Sequence, residues 1–185
     1  MVKCLKTLDG HTNWIQSIIA LPNNTLVSCS QGNTIKLWNL NNSTCVQTLH
    51  GHTDSVYSLL LLKNGHLASG SRDKTIKIWK RDNEKCIKTL QGHTGWVYAL
   101  ESTDTFDLIS SSEDKSINIW NVTSSECICA LLGHNDGVYR IRIYSNDILV
   151  SGSFNGSIKL WDISSGQCTH TLNGHQKLVT SLCFI

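Results

Sequence analysis

Residues 69–80 read SGSRDKTIKIWK, and this stretch recurs along the chain. Stretches of the same spacing stand 41 residues apart at 28–39 (SCSQGNTIKLWN), 110–121 (SSSEDKSINIWN) and 151–162 (SGSFNGSIKLWD). Every copy begins with Ser and has a Trp ten residues later. A signature repeated at a fixed interval indicates a repeat architecture, because a single active site would need only one copy.

One repeat contains four short runs that are typical of β-strands. In the second repeat they cover 55–61, 66–71, 75–79 and 85–90, separated by turns that contain Gly, Asn or Asp. The run TIKIW alternates as a strand does, and no window shows a sustained helical period. The pattern predicts an all-β fold of antiparallel strands, in a single repeat region over residues 1–185.

The ends of the sequence match only parts of a repeat. KCLKTL (3–8) corresponds to a last strand, and the segment 179–185 corresponds to a first strand. We therefore expect four complete sets of four strands, with one further strand at each end. We also expect either a piece of a longer assembly, an arc completed by a second copy, or a small closed ring.

Composition limits the classes of function. The 185 residues carry a net charge of +2, with acidic and basic residues interspersed and no basic block. This predicts no electrostatic surface for nucleic acid or for an anionic membrane. The apolar runs are too short to span a bilayer, and the first residues lack the apolar core of a secretion signal. We expect a soluble intracellular protein, cytoplasmic by default, with the nucleus open as an alternative.

Five of the eight cysteines keep the interval of 41 residues, one in each repeat. They are Cys4, Cys45, Cys86, Cys127 and Cys168. Equivalent positions in successive repeats are too far apart to form disulfides or to share a metal ion, so we expect small buried apolar residues with reduced thiols.

The repeat resembles the WD40 family. Gly-His pairs begin at residues 10, 51, 92, 133 and 174, and a Trp closes the third strand of each complete repeat. A Gly-His pair, four strands and a late Trp within about 40–45 residues form the signature of that family. The Trp-Asp dipeptide itself occurs only at Trp161-Asp162. The resemblance implies β-propeller blades of four antiparallel strands, four complete blades and a partial fifth, as an open arc or as part of a larger ring.

The resemblance also implies a structural relay of hydrogen bonds from Trp through Ser and His to Asp. The second blade supplies His52, Ser69, Asp73 and Trp79, and the third supplies His93, Ser110, Asp114 and Trp120. The first blade has His11, Ser28 and Trp38 but Gly at the Asp position, and the fourth has His134, Ser151 and Trp161 with Asn155. A buried polar group left without its partner is costly, so we expect the first and fourth blades to be less rigid.

Ser, His and Asp together also suggest a hydrolase triad, but four near-copies favour the structural interpretation. The sequence contains no phosphate-binding loop, no dinucleotide fingerprint and no metal-ligand spacing. We therefore predict a protein without catalytic residues, metal or cofactor. An enzyme or small-molecule binder that uses the central channel is the alternative.

In the WD40 family, partners often contact the top face of the propeller. The third residue after each Gly-His histidine and the residue before the turn Asp belong to that face, and both of the tryptophans outside the relay occupy such positions. The predicted partner-binding residues are Trp14, Arg72, Trp96, Glu113 and Phe154. Tyr57, Tyr98 and Tyr139 recur with the repeat, and we interpret them as scaffold residues.

The resulting functional hypothesis is a non-catalytic scaffold that binds other proteins. Two alternatives stay open: an architectural arc that associates with itself and completes a ring as a homo-oligomer, and the propeller part of a larger regulatory protein. Signalling and substrate recognition by a ubiquitin ligase are roles of that second kind.

Overall fold

A computed structural model describes residues 4–81, 85–105, 108–145 and 147–184. All the regular structure in these residues is β, in four separate antiparallel sheets of four strands each. Each sheet corresponds to one complete repeat of the sequence, and we name the sheets blades 1 to 4 in chain order.

The strands run in sequence order across every blade. Blade 1 contains β1 (Ile15–Leu21), β2 (Thr25–Ser30), β3 (Ile35–Asn39) and β4 (Thr44–Leu49). Blade 2 contains β5 (Val56–Leu61), β6 (Leu67–Ser71), β7 (Ile76–Trp79) and β8 (Cys86–Leu90). Blade 3 contains β9 (Val97–Glu101), β10 (Leu108–Ser112), β11 (Ile117–Asn121) and β12 (Glu126–Leu131). Blade 4 contains β13 (Val138–Ser145), β14 (Ile148–Ser153), β15 (Ile158–Asp162) and β16 (Gln167–Leu172).

The Trp of each repeat sits at the same irregularity of the sheet. The pairing of the third strand with the fourth shifts immediately before this Trp in all four blades, for instance between Ile78 and Trp79. A bulge of this kind redirects a side chain. The indole ring is almost fully buried in every blade, and it packs edge-on or tilted against the histidine of the Gly-His pair.

The hydrophobic core lies between successive blades. Between blades 1 and 2, Ile35, Leu37 and Leu49 of the first blade pack with Val56 and Trp79 of the second. Two further apolar layers join blade 2 to blade 3 and blade 3 to blade 4. Alternation along the strands explains these layers, since each blade presents apolar side chains on both of its faces.

The two outermost faces of the series are partly exposed. Ile15 and Ile18 of blade 1 are 48% and 54% exposed, and Leu172 of blade 4 is 53% exposed. Because these faces do not cover each other, the four blades form an open arc rather than a small closed ring.

The two extra strands predicted at the ends are not formed. Residues 4–8 and 179–184 lie in extended or irregular backbone without strand pairing, and residues 3 and 185 lie outside the described residues. Neither segment has a neighbouring second or third strand to complete a hydrogen-bonded ladder, which accounts for the difference.

The prediction that the periodic cysteines are buried is wrong. Cys45, Cys86, Cys127 and Cys168 lie on the fourth strands and are exposed, as is Cys4, and all eight cysteines are free thiols. The fourth strand is the outermost strand of its blade, and its first two residues are exposed in every blade. A β-rich sequence pattern does not distinguish this edge strand from the central ones.

Candidate protein-interaction surface

The relay predicted for blade 2 is complete. The indole N–H of Trp79 donates to Ser69 Oγ at 2.8 Å, and Ser69 Oγ lies 2.7 Å from His52 Nε2. His52 Nδ1 lies 2.7 Å from Asp73 Oδ2. Since a carboxylate only accepts, Nδ1 carries the shared proton.

Asp73 also stabilises the turn between β6 and β7 by accepting hydrogen bonds within it. Its carboxylate accepts from the backbone N–H of Thr53 at 3.0 Å, and from the N–H and the hydroxyl of Thr75 at 3.0 and 2.6 Å. Burial alone would raise the pKa of Asp73, but the hydrogen bonds from His52 and Thr75 bring it well below its ordinary value of 3.8. The charged carboxylate therefore joins the turn to the loop that precedes β5.

Blade 3 repeats this geometry. His93 lies 2.8 Å from Asp114 and 2.7 Å from Ser110, which also accepts from Trp120 at 2.7 Å. Ser116 takes the place of Thr75, and its hydroxyl donates to Asp114 at 2.5 Å. The pKa of Asp114 is likewise well below its usual range, against the opposing effect of burial.

The relay of blade 1 is broken, as the glycine at the Asp position implies. Trp38 and Ser28 form their bond at 2.8 Å, and Ser28 lies 2.7 Å from His11 Nε2. His11 Nδ1 is buried, and no hydrogen-bond partner for it occurs among the described residues. Burial, together with the positive charge of Lys36, lowers the pKa of His11.

The relay of blade 4 ends on a different residue from the one predicted. Trp161 and His134 share Ser151 at 2.8 and 2.6 Å, but His134 Nδ1 meets Ser157 Oγ at 3.2 Å and not the amide of Asn155. Asn155 Oδ1 instead accepts from the Ser157 backbone N–H. The amide caps the turn and contributes no charge, and burial, helped by Lys159, lowers the pKa of His134 to about 4.

Burial of the relay decides between its structural and catalytic interpretations. Ser69, Ser110 and Ser151 have no exposed surface. A nucleophile must reach its substrate, so these hydroxyls cannot attack one from their positions in the structure. The relay holds the turns on one end of the blades, and that end carries the predicted contact residues.

A backbone hydrogen bond joins the two predicted sets of top-face positions in every blade. Arg72 N donates to Ser55 O at 2.8 Å, and Glu113 N donates to Trp96 O at 2.9 Å. The equivalent bonds are Gln31 N to Trp14 O at 2.9 Å and Phe154 N to Gly137 O at 3.0 Å. The turn after the second strand and the residues before the first strand therefore form one edge, the top face.

Five aromatic side chains of blades 2 to 4 meet at this face. We call Tyr57, Trp96, Tyr98, Tyr139 and Phe154 the aromatic cluster. Trp96 stacks on Tyr57 with 6.2 Å between ring centroids and 18° between planes, and Tyr98 lies at the centre, within 5.1–6.1 Å of the other four rings. Trp96 is half-buried and Tyr98 is 5% exposed, so packing fixes the rings in place.

An arginine stands at each side of the aromatic cluster. The guanidinium of Arg72 lies 4.1 Å above the Trp96 ring, with Nε 3.5 Å from Asp54, and the guanidinium of Arg140 lies 4.8 Å above Tyr139. These distances correspond to cation–π contacts, which orient both long side chains. Glu113 is exposed beside Trp96, and its Oε2 lies 3.5 Å from the Trp96 backbone N–H.

The structure brings four of the five predicted contact residues together. Trp96 and Phe154 belong to the aromatic cluster, and Arg72 and Glu113 lie beside Trp96. Trp14 lies at the equivalent end of blade 1 but is 74% exposed, and none of the ring contacts in the described part of the chain involves it.

Sequence reasoning missed the three tyrosines of the cluster and Arg140. Their 41-residue spacing favours a scaffold role, and they do pack against neighbouring blades. The signal that could have identified the tyrosines is their position in the sequence, because each follows a predicted top-face position by two residues. Tyr98 follows Trp96 by two residues, Trp96 lies immediately before β9 and Tyr98 is in it, and the centroids of the two rings are 6.1 Å apart.

No group of His, Cys, Asp and Glu in the described residues could hold a metal ion. The same residues contain no helix of the length and apolarity needed to cross a membrane.

Comparison with known families identifies the class of protein. The family model of the WD domain, G-beta repeat, matches residues 2–39, 43–80, 84–121, 125–162 and 166–185. Each of the first four matches ends at the third strand of a blade, and each later match begins with the fourth strand of the preceding blade. These matches cover nearly the whole chain, and the chain belongs to the WD40 family. Proteins of this family are generally non-catalytic and bind other proteins. A search of curated proteins returned no match.

Proposed function

We propose that the chain is a non-catalytic interaction scaffold whose protein partner docks on the aromatic cluster and Arg72. The observation that carries this proposal is the environment of Trp96, which is partly exposed yet held between Arg72 and two tyrosines. Trp, Tyr and Arg in a packed, partly exposed centre are the residue types that dominate binding energies at protein interfaces. Free thiols throughout the chain favour a reducing compartment, and we place the protein in the cytoplasm.

The proposal is tested by selecting peptides from a displayed random library on the immobilised chain. Binding of the selected peptides is then measured for Trp96→Ala and Arg72→Ala, and circular dichroism verifies that both variants are folded. We expect Trp96→Ala to weaken binding about 30-fold, as loss of a central hot spot does. Ile128→Ala is the matched control, because Ile128 is exposed on the outermost strand of blade 3, away from the cluster. Equal binding by wild type and Trp96→Ala would refute the proposal.

A second role is favoured by the apolar faces at the two ends of the arc. Ile15, Ile18 and Leu172 occupy positions that are covered at the internal blade interfaces. An exposed apolar face of this kind marks an association surface, so a self-associating architectural arc is the alternative function. Light scattering across a range of concentrations distinguishes the two roles. Association predicts a mass that rises with concentration and that falls to one chain in Leu172→Glu, whereas a constant single-chain mass rejects it.

A further inference from the structure

The concave side of the arc encloses a cavity of about 520 Å³. The first strands of all four blades line it, together with residues 180–182. Its wall is mainly polar and includes Gln16, Tyr57, Arg140 and Thr180. Tyr57 also belongs to the aromatic cluster, so the cavity is continuous with the proposed docking surface.

Arg140 is held in a fixed orientation in this wall. Its Nε donates to the backbone carbonyl of Thr180 at 3.0 Å, and its guanidinium lies over Tyr139. The side chain is half-buried, and among the described residues Thr180 O is the one acceptor that Arg140 meets. The terminal amino groups therefore remain available, in the planar fork that suits a carboxylate.

The remaining charges of the wall neutralise each other. Arg142 Nη1 lies 2.8 Å from Glu101 Oε1. Burial raises the pKa of Glu101, and the bond from Arg142 opposes this shift. Glu101, Arg140 and Arg142 are the charged residues of the wall, so pairing of Glu101 with Arg142 leaves one uncompensated positive charge, on Arg140. A wall with one free cation suits a single negative charge, and a dianion such as phosphate would lack a second partner.

We propose that Arg140 binds the carboxylate of one Asp or Glu side chain that a partner segment inserts into the cavity. This inference rests on the proposed function, because the segment that carries the carboxylate would cross the aromatic cluster. It identifies the partner by its chemistry, as a segment with an acidic side chain adjacent to the residues that contact Trp96.

The chain contains four arginines, which makes side-chain NMR a direct test. The Nε–H resonance of Arg140 is assigned by its loss in Arg140→Gln. The probes are N-acetyl-Ala-Leu-Glu-Leu-Ala-amide, the same peptide with Gln in place of Glu, and inorganic phosphate. We expect the Glu peptide to shift the Arg140 resonance and the Gln peptide to leave it in place. Removing one charge-assisted bidentate contact should weaken binding of the Glu peptide about tenfold in Arg140→Gln. Arg81→Gln, the same charge change elsewhere, should leave it unaltered.

Three results would overturn the inference. One is an Arg140 resonance that stays fixed at Glu-peptide concentrations up to about 10 mM, where a single charge-assisted contact is detectable. The others are equal shifts with the Gln peptide, and an equal shift with phosphate alone, which would make the site a general anion site. The proposed function fails separately: if library peptides still depend on Trp96 while the Glu peptide does not bind, the docking surface stands and the carboxylate site does not.

Discussion

Blades 2 and 3 differ from blades 1 and 4 although all four are built from the same 41-residue unit. The inner blades have complete relays that end in a carboxylate. In the outer blades, His11 Nδ1 has no hydrogen-bond partner among the described residues, and His134 Nδ1 meets a hydroxyl in place of a carboxylate. Each outer blade also has one face on which apolar side chains are partly exposed. The two differences have separate causes: the sequence of the blade determines its relay, and its place in the series determines the burial of its faces. Four predictions separate these causes.

The largest effect should come from the leucine that ends the fourth strand, which is buried in blade 3 and exposed in blade 4. Leu131 and Leu172 occupy the same position on the fourth strand, but Leu131 is 1% exposed and Leu172 is 53% exposed. We expect Leu131→Ala to lower the free energy of unfolding by about 3 kcal/mol, because it leaves a cavity between blades 3 and 4. Leu172→Ala should cost about 0.5 kcal/mol or less. Urea denaturation measures both. Equal losses would show that Leu172 is covered in solution, in favour of self-association.

The second effect tests the relay itself. Asp114→Ala leaves His93 Nδ1 and the backbone N–H groups of Thr94 and Ser116 without their acceptor. We expect a loss of about 2 kcal/mol in the free energy of unfolding, the usual penalty for buried donors left unpaired. Asn155→Ala is the matched control at the same position of blade 4. It removes one hydrogen bond, to Ser157 N, and should cost about 0.5–1 kcal/mol. If the two variants are equally stable, the charge of Asp114 adds nothing to the relay.

The third prediction converts an outer blade into an inner one. Gly32 occupies the Asp position of blade 1, and its N–H donates to Ser30 Oγ as Asp73 N donates to Ser71 Oγ. Gly32→Asp supplies the acceptor that His11 Nδ1 lacks, and we expect a gain of about 1 kcal/mol in the free energy of unfolding.

Gly32→Ala is the control for this substitution. The added Cβ would stand 3.0 Å from Thr12 Oγ1 and 3.2 Å from Ser30 Oγ, so the methyl group alone should give no gain. A gain with Ala equal to the gain with Asp would assign the effect to backbone entropy rather than to the relay.

The fold was predictable because its signals are local and repeated. Turn residues and alternation in each run set the strands, and the period of 41 residues fixed their number in each complete blade. The cysteine prediction was wrong for a physical reason. A fourth strand such as Cys86–Leu90 has the composition of a buried strand, and only the three-dimensional arrangement shows that it is the outermost strand of its blade, with Cys86 exposed.

The contact surface was predictable only in part. Position within the repeat located Trp96 and Arg72 on one face, and the backbone bonds between the two sets explain why. Which aromatic rings meet depends on the angle between neighbouring blades, and the sequence does not contain that angle. Trp14 illustrates this limit. It has the same position in the repeat as Trp96, but Trp96 packs on Arg72 and Tyr57 of the preceding blade and on Tyr98 of its own. Among the described residues no blade precedes blade 1, and Gln16 stands at the position of Tyr98.

The smallest effect should be a local dependence on pH. Burial lowers the pKa of His134 from 6.5 to about 4. Between these pH values the unfolded chain binds a proton at His134 that the folded chain does not bind. The stability of blade 4 should therefore fall as the pH drops from 6.5 towards 4. Asp73 and Asp114 have lowered pKa values, so their contribution is complete above 3.8 and is lost only as the pH falls below that value.

Hydrogen exchange followed by mass spectrometry at pH 7 and pH 5, corrected for intrinsic rates, separates these windows. We expect the strands of blade 4 to lose protection at pH 5 relative to pH 7. In His134→Gln, which cannot take up the proton, this loss should disappear even if the blade is less protected throughout. Blade 1 should behave as blade 4 does, because the pKa of His11 is also lowered. Uniform protection of all four blades at both values of pH would mean that an incomplete relay does not weaken its blade, and that packing between the blades alone sets their rigidity.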